Sequence, residues 1–410
     1  MKYGLIGERL GHSFSKIIHE ELTGLEYTLT EVARDELDSF ITRRDFSAIN
    51  VTLPYKQSVI PYLDFIDGDA AAIGAVNTVV NRNGRLYGYN TDFYGMKMLF
   101  AHAGIDAQGK KAVILGSGGT SKTAYAVLTS LGAREILRVS RSARDGAIDY
   151  DELISQHSDA EIIVNTTPKG MYPDICGMPV DLSHFSGLIG VVDAVYNPIR
   201  TPFVLSALAR KIPAEGGLYM LVAQAVRASE IFHGKEYPDG TVDRVFERIC
   251  AMKENIVLIG MPACGKSTVG AILAKRLSRR LVDTDELVRK RAGMEIKEIF
   301  KKYGEAEFRR LEREVISEIS GENSLVIATG GGAILYRENV SGLKKNGRLY
   351  FIDRPPELLI PTSSRPLSSD RQALEKRYSE RYPIYCSVAD VRVDADCTPE
   401  CVAEKITENF

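Results

Sequence analysis

Two glycine-rich stretches of the sequence have residue types and spacings that suit phosphate binding. In GMPACGKST, residues 260–268, a glycine is followed by four residues and then Gly-Lys-Ser, the complete Walker A pattern. In such a loop backbone N–H groups hold phosphate oxygens, the lysine bridges the β- and γ-phosphates, and the serine hydroxyl ligates Mg²⁺. We therefore expect ATP and Mg²⁺ to bind at six residues: Ala263, Cys264, Gly265, Lys266, Ser267 and Thr268.

The second stretch, KAVILGSGGTSKTAYAVLTSLG at residues 111–132, suits a dinucleotide. Its glycines follow an apolar run and precede a helical pattern, so the backbone can approach a pyrophosphate at a helix N-terminus. A glycine turn alone also fits an ordinary tight turn. The predicted cofactor contacts in the turn are Gly116, Ser117, Gly118, Gly119 and Thr120.

The strand after this turn indicates which dinucleotide binds. NAD-specific folds place Asp or Glu about 20 residues past the glycines, where it accepts from the ribose 2′-hydroxyl. This sequence has Ser140 and Arg141 there, with Arg144 just beyond. A carboxylate would repel a 2′-phosphate and these side chains would attract one, so we expect NADPH rather than NADH. A solvated basic turn is the alternative interpretation.

Two aspartates follow the Walker loop in LVDTDEL, residues 281–287. Strand alternation places Asp283 and Asp285 on the same side, one toward the metal with Ser267 and one toward an acceptor hydroxyl. The later apolar strand in LVIATGGGAIL, residues 325–335, lacks the usual Walker B aspartate. We therefore predict that Asp283 belongs to the magnesium site.

Four polar motifs precede the dinucleotide turn, each beside a predicted strand end. They are GHSFS (11–15), NVTLPYK (50–56), GAVNT (74–78) and GYNTDFYG (88–95). Together they supply hydroxyls, amides, one lysine and one aspartate. This set suits a small polyhydroxylated acid, with the lysine available for proton transfer.

The elements that position these residues alternate between strands and helices, which predicts an α/β fold. Two separate strand-turn-helix starts predict two nucleotide-binding domains. We assign residues 1–100 and 218–250 to a substrate domain and 101–217 to a Rossmann domain. Residues 251–255 are the predicted linker, and 256–410 form a P-loop domain with a parallel sheet.

The composition places the chain among ordinary globular proteins, with 410 residues, 44% of them hydrophobic and 26% charged. A net charge of −2 offers no basic field for nucleic acid or an anionic membrane. No signal peptide or membrane-spanning run is found. Six dispersed cysteines without a CxxC pair predict reduced thiols and a cytoplasmic protein.

The motifs of the first 250 residues, in this order, resemble shikimate dehydrogenase. The resemblance extends to NTTPKGM (165–171), DAVYNPIRTP (193–202) and GLYMLVAQA (217–225). It implies hydride transfer from NADPH to the C3 ketone of 3-dehydroshikimate, which gives shikimate. Tyr219 stands where the family usually has a small residue, and we expect it to narrow the substrate pocket. The basic loop SRSAR also differs from the family pattern, because Arg144 comes one position early.

The resemblance to shikimate dehydrogenase implies site residues by motif. Ser13 and Ser15 would hold the substrate carboxylate, and Lys56 and Asp92 would form the catalytic pair, with Asp92 also binding a hydroxyl. The remaining residues, which would contact substrate hydroxyls or line the junction with the nicotinamide, are Thr52, Asn77, Gln224, Tyr196 and Gly217.

The last 155 or so residues resemble shikimate kinase through the Walker loop, D-T-D, G-E-x-x-F-R, G-G-G, RPL and RYPIY. The resemblance implies that Asp285 activates the acceptor hydroxyl and that Arg365, on a lid, reaches the ATP phosphates. The segment PELLIPTSSRPLSSD (356–370) has fewer basic residues than the family's lid usually has. The implied contacts of the shikimate carboxylate are Arg309, Arg381, Gly331 and Gly332. Arg309 and Glu312 lie three residues apart in a helical pattern, residues 296–314, and a surface ion pair between them is the simpler interpretation.

The two resemblances together imply a bifunctional enzyme of aromatic amino acid biosynthesis, acting on 3-dehydroshikimate and then shikimate. One alternative is a quinate/shikimate dehydrogenase fused to the kinase. Another is a non-catalytic shikimate-binding regulator, against which the presence of Lys56, Asp92, Lys266 and Asp285 weighs. The sequence does not indicate the oligomeric state.

Overall fold

The computed structural model describes residues 1–10, 14–142, 146–359 and 371–410. The chain divides into two compact units, Met1–Ile249 and Cys250–Phe410. The predicted linker 251–255 is not a separate segment. Residues 251–253 end a helix, Thr241–Lys253, Glu254 forms a bend, and a strand begins at Asn255.

The first unit begins with a six-stranded mixed sheet in the order β2-β1-β3-β5-β6-β4. Its strands are β1 (Tyr3–Gly7), β2 (Thr28–Glu31), β3 (Ala48–Val51), β4 (Phe65–Ile66), β5 (Thr78–Arg82) and β6 (Arg85–Tyr89). Strands β5 and β6 form a hairpin because Asn83 and Gly84 both take positive φ, at 54° and 82°, as a two-residue turn requires. The helices are α1 (Ser15–Thr23), α2 (Leu37–Arg43), α3 (Gly68–Ile73) and α4 (Thr91–His102).

The same unit continues with a parallel five-stranded sheet of Rossmann type, in the order β11-β10-β9-β7-β8. Its strands are β7 (Lys111–Leu115), β8 (Glu135–Val139), β9 (Ile162–Asn165), β10 (Gly190–Asp193) and β11 (Ala214–Glu215). The helices are α5 (Gly119–Ser130), α6 (Tyr150–Gln156) and α7 (Pro202–Ala209). Every residue of β7, β9 and β10 is buried, as expected for a parallel sheet covered on both faces.

Helix α8 (Leu218–His233) returns to the first sheet and packs against α1 and α4. Gly95 makes the close packing of α4 on α8 possible, because a Cβ there would lie 2.6 Å from the Met220 carbonyl oxygen. Helix α9 (Thr241–Lys253) follows. The α4–α8 contact therefore brings the first turn of α4 next to Gln224.

The second unit is built on a parallel sheet in the order β13-β14-β12-β15-β16. The strands are β12 (Asn255–Ile259), β13 (Arg280–Asp283), β14 (Leu325–Ala328), β15 (Gly347–Asp353) and β16 (Val391–Asp394). The helices are α10 (Lys266–Arg276), α11 (Thr284–Ala292), α12 (Ile296–Ile319), α13 (Arg337–Asn346), α14 (Arg371–Val388) and α15 (Pro399–Glu408). The central strand β12 is buried throughout, so the loop that follows it starts from a fixed point.

Two local features differ from the expectations. Helix α12 is interrupted at Gly304, whose φ of 82° and ψ of 176° are not helical. Cys397 and Cys401 are joined by a disulfide at the start of α15, so the prediction of six reduced cysteines is wrong for this pair. In the part of the chain that the structure describes, no helix is long and apolar enough to cross a membrane.

Candidate active sites

Lys56 and Asp92 form an ion pair in the first unit, with Lys56 Nζ 2.5 Å from Asp92 Oδ2. Lys56 lies in the turns after β3, and Asp92 lies in the first turn of α4. The Asn90 side chain caps this helix by accepting hydrogen bonds from the backbone N–H groups of Asp92 and Phe93. The pair is about four-fifths buried, at 26% and 18% side-chain exposure, which strengthens its electrostatic interaction.

Amide side chains surround this pair. Asn77 donates through Nδ2 to the second carboxylate oxygen of Asp92 at 2.9 Å. The Thr91 hydroxyl lies 3.2 Å from Gln224 Oε1 and joins α4 to α8. The structure thus brings together four predicted residues, Lys56, Asn77, Asp92 and Gln224. It adds Thr91, which we missed; its position next to Asp92 at a helix N-terminus was the available signal.

The predicted carboxylate site is described only in part, because Ser13 lies outside the described residues. Ser15 is buried at the start of α1. The neighbouring Phe14 contacts Tyr196 edge to face, with ring centroids 5.7 Å apart, so the start of α1 meets the loop after β10. Burial raises the pKa of Tyr196. Thr52 lies at the end of β3, where its backbone N–H donates to the Ile6 carbonyl.

The glycine turn after β7 has the geometry of a dinucleotide cradle. Gly116 takes a φ of 117°, and a Cβ there would lie 2.5 Å from Thr166 Oγ1, so only glycine fits. Gly118 and Gly119 face open space, with no atom within 4 Å of a Cβ position. The N-terminus of α5, which includes Thr120, has no side-chain cap, so no capping side chain occupies its first N–H groups, and Ser117 lies in the turn before it.

The predicted 2′-phosphate contacts follow β8. Ser140 is buried and its backbone N–H donates to the Ile148 carbonyl. Arg141 is exposed, and Arg144 lies outside the described residues. Burial raises the pKa of Tyr150, while the nearby Arg141 charge opposes that rise. Tyr150 is therefore close enough to Arg141 to feel its charge, which its sequence context did not indicate.

The loop after β10 is held against the predicted nicotinamide site by close backbone contacts. A Cβ at Gly217 would lie 2.3 Å from the Ala194 carbonyl oxygen. Asp193 anchors the loop by accepting from Thr201 Oγ1 at 2.6 Å, Asn165 Nδ2 at 2.9 Å and the Val195 N–H at 3.0 Å. Burial raises the pKa of Asp193 to about 6, although these three donors oppose the rise.

Tyr219 does not narrow the substrate pocket as we expected. Its ring stacks on His102 with centroids 3.9 Å apart, and its hydroxyl donates to Asp243 Oδ1 at 2.6 Å. His102 ends α4, about 15 Å along the helix from Asp92 at its start. The Tyr219 side chain therefore fills the junction of α4, α8 and α9 instead.

In the second unit the Walker loop joins β12 to α10. Lys266 is buried, and its Nζ donates to the carbonyl oxygens of Gly260 and Met261, both at 2.8 Å. The loop contains three residues with positive φ, Gly260 at 147°, Ala263 at 68° and Gly265 at 97°. The ammonium group thus lies inside the loop, while Ser267 and Thr268 are exposed at the helix start, next to the buried Cys264.

Ser267 and Asp283 fit a magnesium site. Ser267 Oγ donates to Asp283 Oδ2 at 2.8 Å, which places two hard oxygen ligands side by side. Among the described residues no group of three or more His, Cys, Asp or Glu side chains is arranged for a metal. Mg²⁺ commonly uses one or two protein ligands together with water and phosphate oxygens, so this pair suffices.

Asp285 lies near the metal pair but on a helix. The Asp283 carboxylate caps α11 by accepting from the N–H groups of Asp285 and Glu286, so Asp285 belongs to the first helical turn and not to a strand. Its carboxylate faces the triple glycine, since a Cβ at Gly330 would lie 2.6 Å from Asp285 Oδ1. The two aspartates therefore do meet at one edge, but through a helix cap rather than strand alternation.

Arg309 and Glu312 are buried, which rules out the surface-pair interpretation. Arg309 Nη1 donates to Glu312 Oε2 at 2.8 Å, and Nη2 donates to Glu305 Oε1 at 3.0 Å. A Cβ at Gly332 would lie 2.4 Å from the Arg309 guanidinium, so the guanidinium packs directly on this glycine. Burial raises the pKa of Glu312 even though the positive charge of Arg309 lowers it. The other Glu312 oxygen, Oε1, has no hydrogen-bond partner among the described residues.

The Gly331 carbonyl is fixed from the other side. It accepts from Arg381 Nη1 at 3.0 Å and from the Tyr385 hydroxyl at 2.5 Å. The Tyr385 ring stacks on Phe351 in β15, with centroids 4.9 Å apart. Two predicted arginines, Arg309 and Arg381, therefore flank the triple glycine. Tyr385 and Glu312 were missed, since their spacing did not reveal their burial, and Arg365 lies outside the described residues.

Comparison with known families supports both resemblances. Residues 262–410 match the family model described as shikimate kinase. Residues 5–79 match the model described as the shikimate dehydrogenase substrate binding domain. Among curated relatives, the shikimate dehydrogenase (NADP(+)) of Clostridium beijerinckii is 38% identical over 245 residues, which is 56% of this chain and 91% of that protein.

Solved structures show the same likeness. A chorismate mutase/shikimate 5-dehydrogenase fusion protein from Clostridium acetobutylicum has a TM-score of 0.57 at 36% identity, covering 60% of this chain and 96% of that one. Shikimate 5-dehydrogenase from Thermus thermophilus, solved with NADP(H) and shikimate, has a TM-score of 0.55 at 27% identity, covering 60% and 99%. Quinate dehydrogenase from Corynebacterium glutamicum has a TM-score of 0.54 at 28% identity, covering 61% and 99%.

Proposed function

The chain belongs to the shikimate dehydrogenase family and carries a shikimate kinase domain after it, and we propose that it performs two consecutive reactions on one ring. The first unit reduces 3-dehydroshikimate to shikimate with NADPH. The second unit phosphorylates shikimate with ATP and gives shikimate 3-phosphate. The hydroxyl made by the first reaction is the nucleophile of the second.

In the reduction, NADPH supplies a hydride to C3, and the carbonyl π electrons move to the oxygen. Lys56 stabilises the negative charge that develops there and donates the proton that completes the hydroxyl. Asp92 holds Lys56 Nζ at 2.5 Å and so aims that proton. Asn77 and Gln224 contact ring hydroxyls, and Thr52 lies near them at the end of β3. Ser13 and Ser15 hold the substrate carboxylate.

The cofactor is held by the turn after β7 and the residues after β8. The open positions at Gly118 and Gly119, together with the uncapped start of α5, support a pyrophosphate site. Arg141 provides a cation for the 2′-phosphate, and Ser140 and Arg144 are proposed as further donors to it. Tyr196 and Gly217 line the nicotinamide side of the substrate.

In the phosphorylation, the oxygen of the substrate hydroxyl bonds to the γ-phosphorus, and Asp285 accepts the proton of that hydroxyl. The bond from the γ-phosphorus to the leaving ADP oxygen breaks. Lys266 neutralises the transferring phosphate. Ser267 and Asp283 hold Mg²⁺. Arg309, Arg381 and the backbone of Gly331 and Gly332 bind the shikimate carboxylate, and Arg365 reaches ATP.

One observation carries this proposal: each unit has its own cluster of predicted catalytic residues. The Lys56–Asp92 pair meets Asn77 and Gln224 in the first unit. The second unit has an equivalent cluster of Lys266 inside its loop and Ser267 on Asp283. Since the clusters share no residue, their activities should be separable.

Single variants test that separation. Lys56→Ala should abolish NADPH oxidation with 3-dehydroshikimate while leaving ATP-dependent phosphorylation of shikimate intact. Lys266→Ala should do the reverse, since its lysine serves only the nucleotide. Loss of both activities in a folded single variant would contradict the two-site assignment.

Kinetic measurements distinguish our proposal from the alternative, in which the substrate is quinate and the oxidant is NAD⁺. Because a guanidinium lies where NAD-specific folds have a carboxylate, shikimate with NADP⁺ should exceed quinate with NAD⁺ at least tenfold in kcat/KM. A preference for quinate and NAD⁺ would reject our choice. A cytoplasmic location, without nucleic acid or membrane partners, stays a prediction from composition.

A further inference from the structure

A chain of buried polar groups leads from the protein interior to the catalytic pair. It consists of Tyr27, Asn50, Thr78, Asn77 and Thr91, which we call the amide–hydroxyl chain. None of these residues is more than 6% exposed. Because a buried polar group without a partner costs free energy, each donor and acceptor here must be matched in direction as well as distance.

The direction of the hydrogen bonds is set at the interior end. The Tyr27 hydroxyl donates to Asn50 Oδ1 at 2.7 Å. Asn50 Nδ2 therefore faces the other way and donates to Thr78 Oγ1 at 3.1 Å. Having accepted this bond, the Thr78 hydroxyl uses its single proton to donate to Asn77 Oδ1 at 2.9 Å.

The direction is then passed to the catalytic pair. Asn77 Oδ1 also accepts from the backbone N–H of Thr91 at 2.8 Å, so its oxygen is fully engaged on this side. Its Nδ2 must then face Asp92 Oδ1 at 2.9 Å and Thr91 Oγ1 at 3.1 Å. The Thr91 hydroxyl lies 3.2 Å from both Asn77 Oδ1 and Gln224 Oε1, so its single proton is shared between these two acceptors. The Asn77 amide, a predicted substrate contact, is thus oriented by Thr78 and by the Thr91 N–H.

We propose that Thr78 is a positioning residue of the dehydrogenase reaction. Its hydroxyl acts with the Thr91 N–H to keep the Asn77 amide nitrogen toward Asp92, so that Asp92 accepts from Asn77 on one oxygen and from Lys56 on the other. If the Asn77 amide turned over, its oxygen would face the carboxylate, acceptor against acceptor, and Asp92 would move from the position that aims Lys56. This inference rests on the proposed role of Lys56 and Asp92.

Thr78→Val and Thr78→Ser form a matched pair of test variants. Valine keeps the shape and removes the proton, whereas serine keeps the hydroxyl. We expect Thr78→Val to lower kcat with 3-dehydroshikimate by roughly ten- to a hundredfold, as misplacement of a catalytic group does. The KM for NADPH, the kinase rate with shikimate and the fold seen by circular dichroism should not change. Thr78→Ser should retain kcat within about threefold, since the donor is restored.

A wild-type kcat in Thr78→Val, or an equal loss in Thr78→Ser, would overturn the inference. If Thr78→Val does not fold, Tyr27→Phe removes the donor that starts the chain and should lower kcat at unchanged KM for NADPH. A wild-type kcat in that variant would overturn the inference as well. Failure of the wild-type chain to oxidise NADPH with 3-dehydroshikimate would instead reject the proposed function itself.

Discussion

Arg141 is the described residue on which the preference for NADPH should depend. Its guanidinium lies after β8, where a 2′-phosphate is expected, and an ionic hydrogen bond there is worth about 1.5–3 kcal/mol. Arg141→Ala should therefore raise the KM for NADPH by roughly tenfold and leave that for NADH nearly unchanged.

The control for this prediction is Arg134→Ala. Arg134 is also exposed but precedes β8 at its other end, where it lies 3.5 Å from Glu161. Steady-state kinetics with both cofactors should show no effect of this variant. Equal increases in the two KM values for Arg141→Ala would show that the residue does not read the 2′-phosphate.

Ala263 places backbone strain in the Walker loop. It takes a φ of 68°, which favours glycine, and a left-handed alanine costs roughly 1–2 kcal/mol. Ala263→Gly relieves this strain but also gives the unfolded chain more freedom. We expect a net gain of up to about 1 kcal/mol in the unfolding free energy of the second unit.

Urea unfolding measures the effect, with Ala271→Gly as the control. Ala271 is exposed in α10, where glycine should cost about 1 kcal/mol because helical conformation is favourable for alanine. The two glycine variants should therefore shift the urea midpoint in opposite directions. A lower unfolding free energy in both Ala263→Gly and Ala271→Gly would mean that Ala263 is not strained.

At the scale of elements, the packing of α4 on α8 holds the dehydrogenase site together. Gly95→Ala would place a Cβ 2.6 Å from the Met220 carbonyl and 2.9 Å from Gln224 Cβ. Overpacking of this kind costs about 1–3 kcal/mol and would separate Thr91 from Gln224. We expect kcat/KM for 3-dehydroshikimate to fall at least tenfold, as a displaced contact does.

Gly68→Ala is the matched control, since Gly68 begins α3 and no atom lies within 4 Å of its Cβ position. Its dehydrogenase kinetics should equal those of the wild type. Unchanged kinetics in Gly95→Ala would show that the two helices can separate without cost to the site.

Helix α1 makes the first unit sensitive to acid. His19 is buried between Tyr27 and Phe232, and burial lowers its pKa to about 3 from 6.5. Because the folded protein binds this proton less readily than the unfolded chain, stability present above pH 6.5 is lost as pH falls toward 3. When the pH falls from 7.5 to 5.5, protonation of His19 in the unfolded chain should lower the free energy of unfolding of the first unit by about 1.4 kcal/mol.

The measurement is urea unfolding of wild type and His19→Gln at both pH values. Glutamine does not titrate, so the variant should lose about 1.4 kcal/mol less than wild type over this interval. The difference matters rather than the absolute loss, because Asp193, with its pKa raised to about 6, stabilises the folded state in acid. Equal losses in the two proteins would refute the assignment.

Sequence reasoning correctly predicted local structural features that depend on short motifs. The glycine turns, the Walker lysine and the approach of Ser267 to Asp283 follow from short motifs at strand ends. It could not place Glu312 or Tyr385, because an i,i+3 or i,i+4 spacing says nothing about which helix face is buried. The prediction that Tyr219 narrows the substrate pocket was wrong for the same reason, because contacts with His102 and Asp243 determine where its side chain points.

Element boundaries and pairings were harder to predict than element types. The predicted linker 251–255 contains the end of α9, a bend at Glu254 and the start of β12. The disulfide joins Cys397 and Cys401, which are four residues apart and therefore do not form a CxxC pair. The direction of each bond in the amide–hydroxyl chain also needed coordinates, because it depends on contacts between β3, β5 and α4.

For the whole molecule, one chain combines two chemistries that must act in order. The ketone at C3 of 3-dehydroshikimate cannot accept a phosphoryl group, because it has no hydroxyl at that carbon. Each unit has its own hydrophobic core, so each should bind its nucleotide whether or not the other unit has bound its own nucleotide. The order of reaction is therefore set by the substrate.

The most direct test is one assay of the purified chain with 3-dehydroshikimate and Mg·ATP, with and without NADPH. We predict ADP and shikimate 3-phosphate only when NADPH is present, with one NADPH oxidised for each phosphate ester formed once shikimate no longer accumulates. ADP formed at the same rate without NADPH, or NADPH oxidised without any phosphorylated product, would contradict the account.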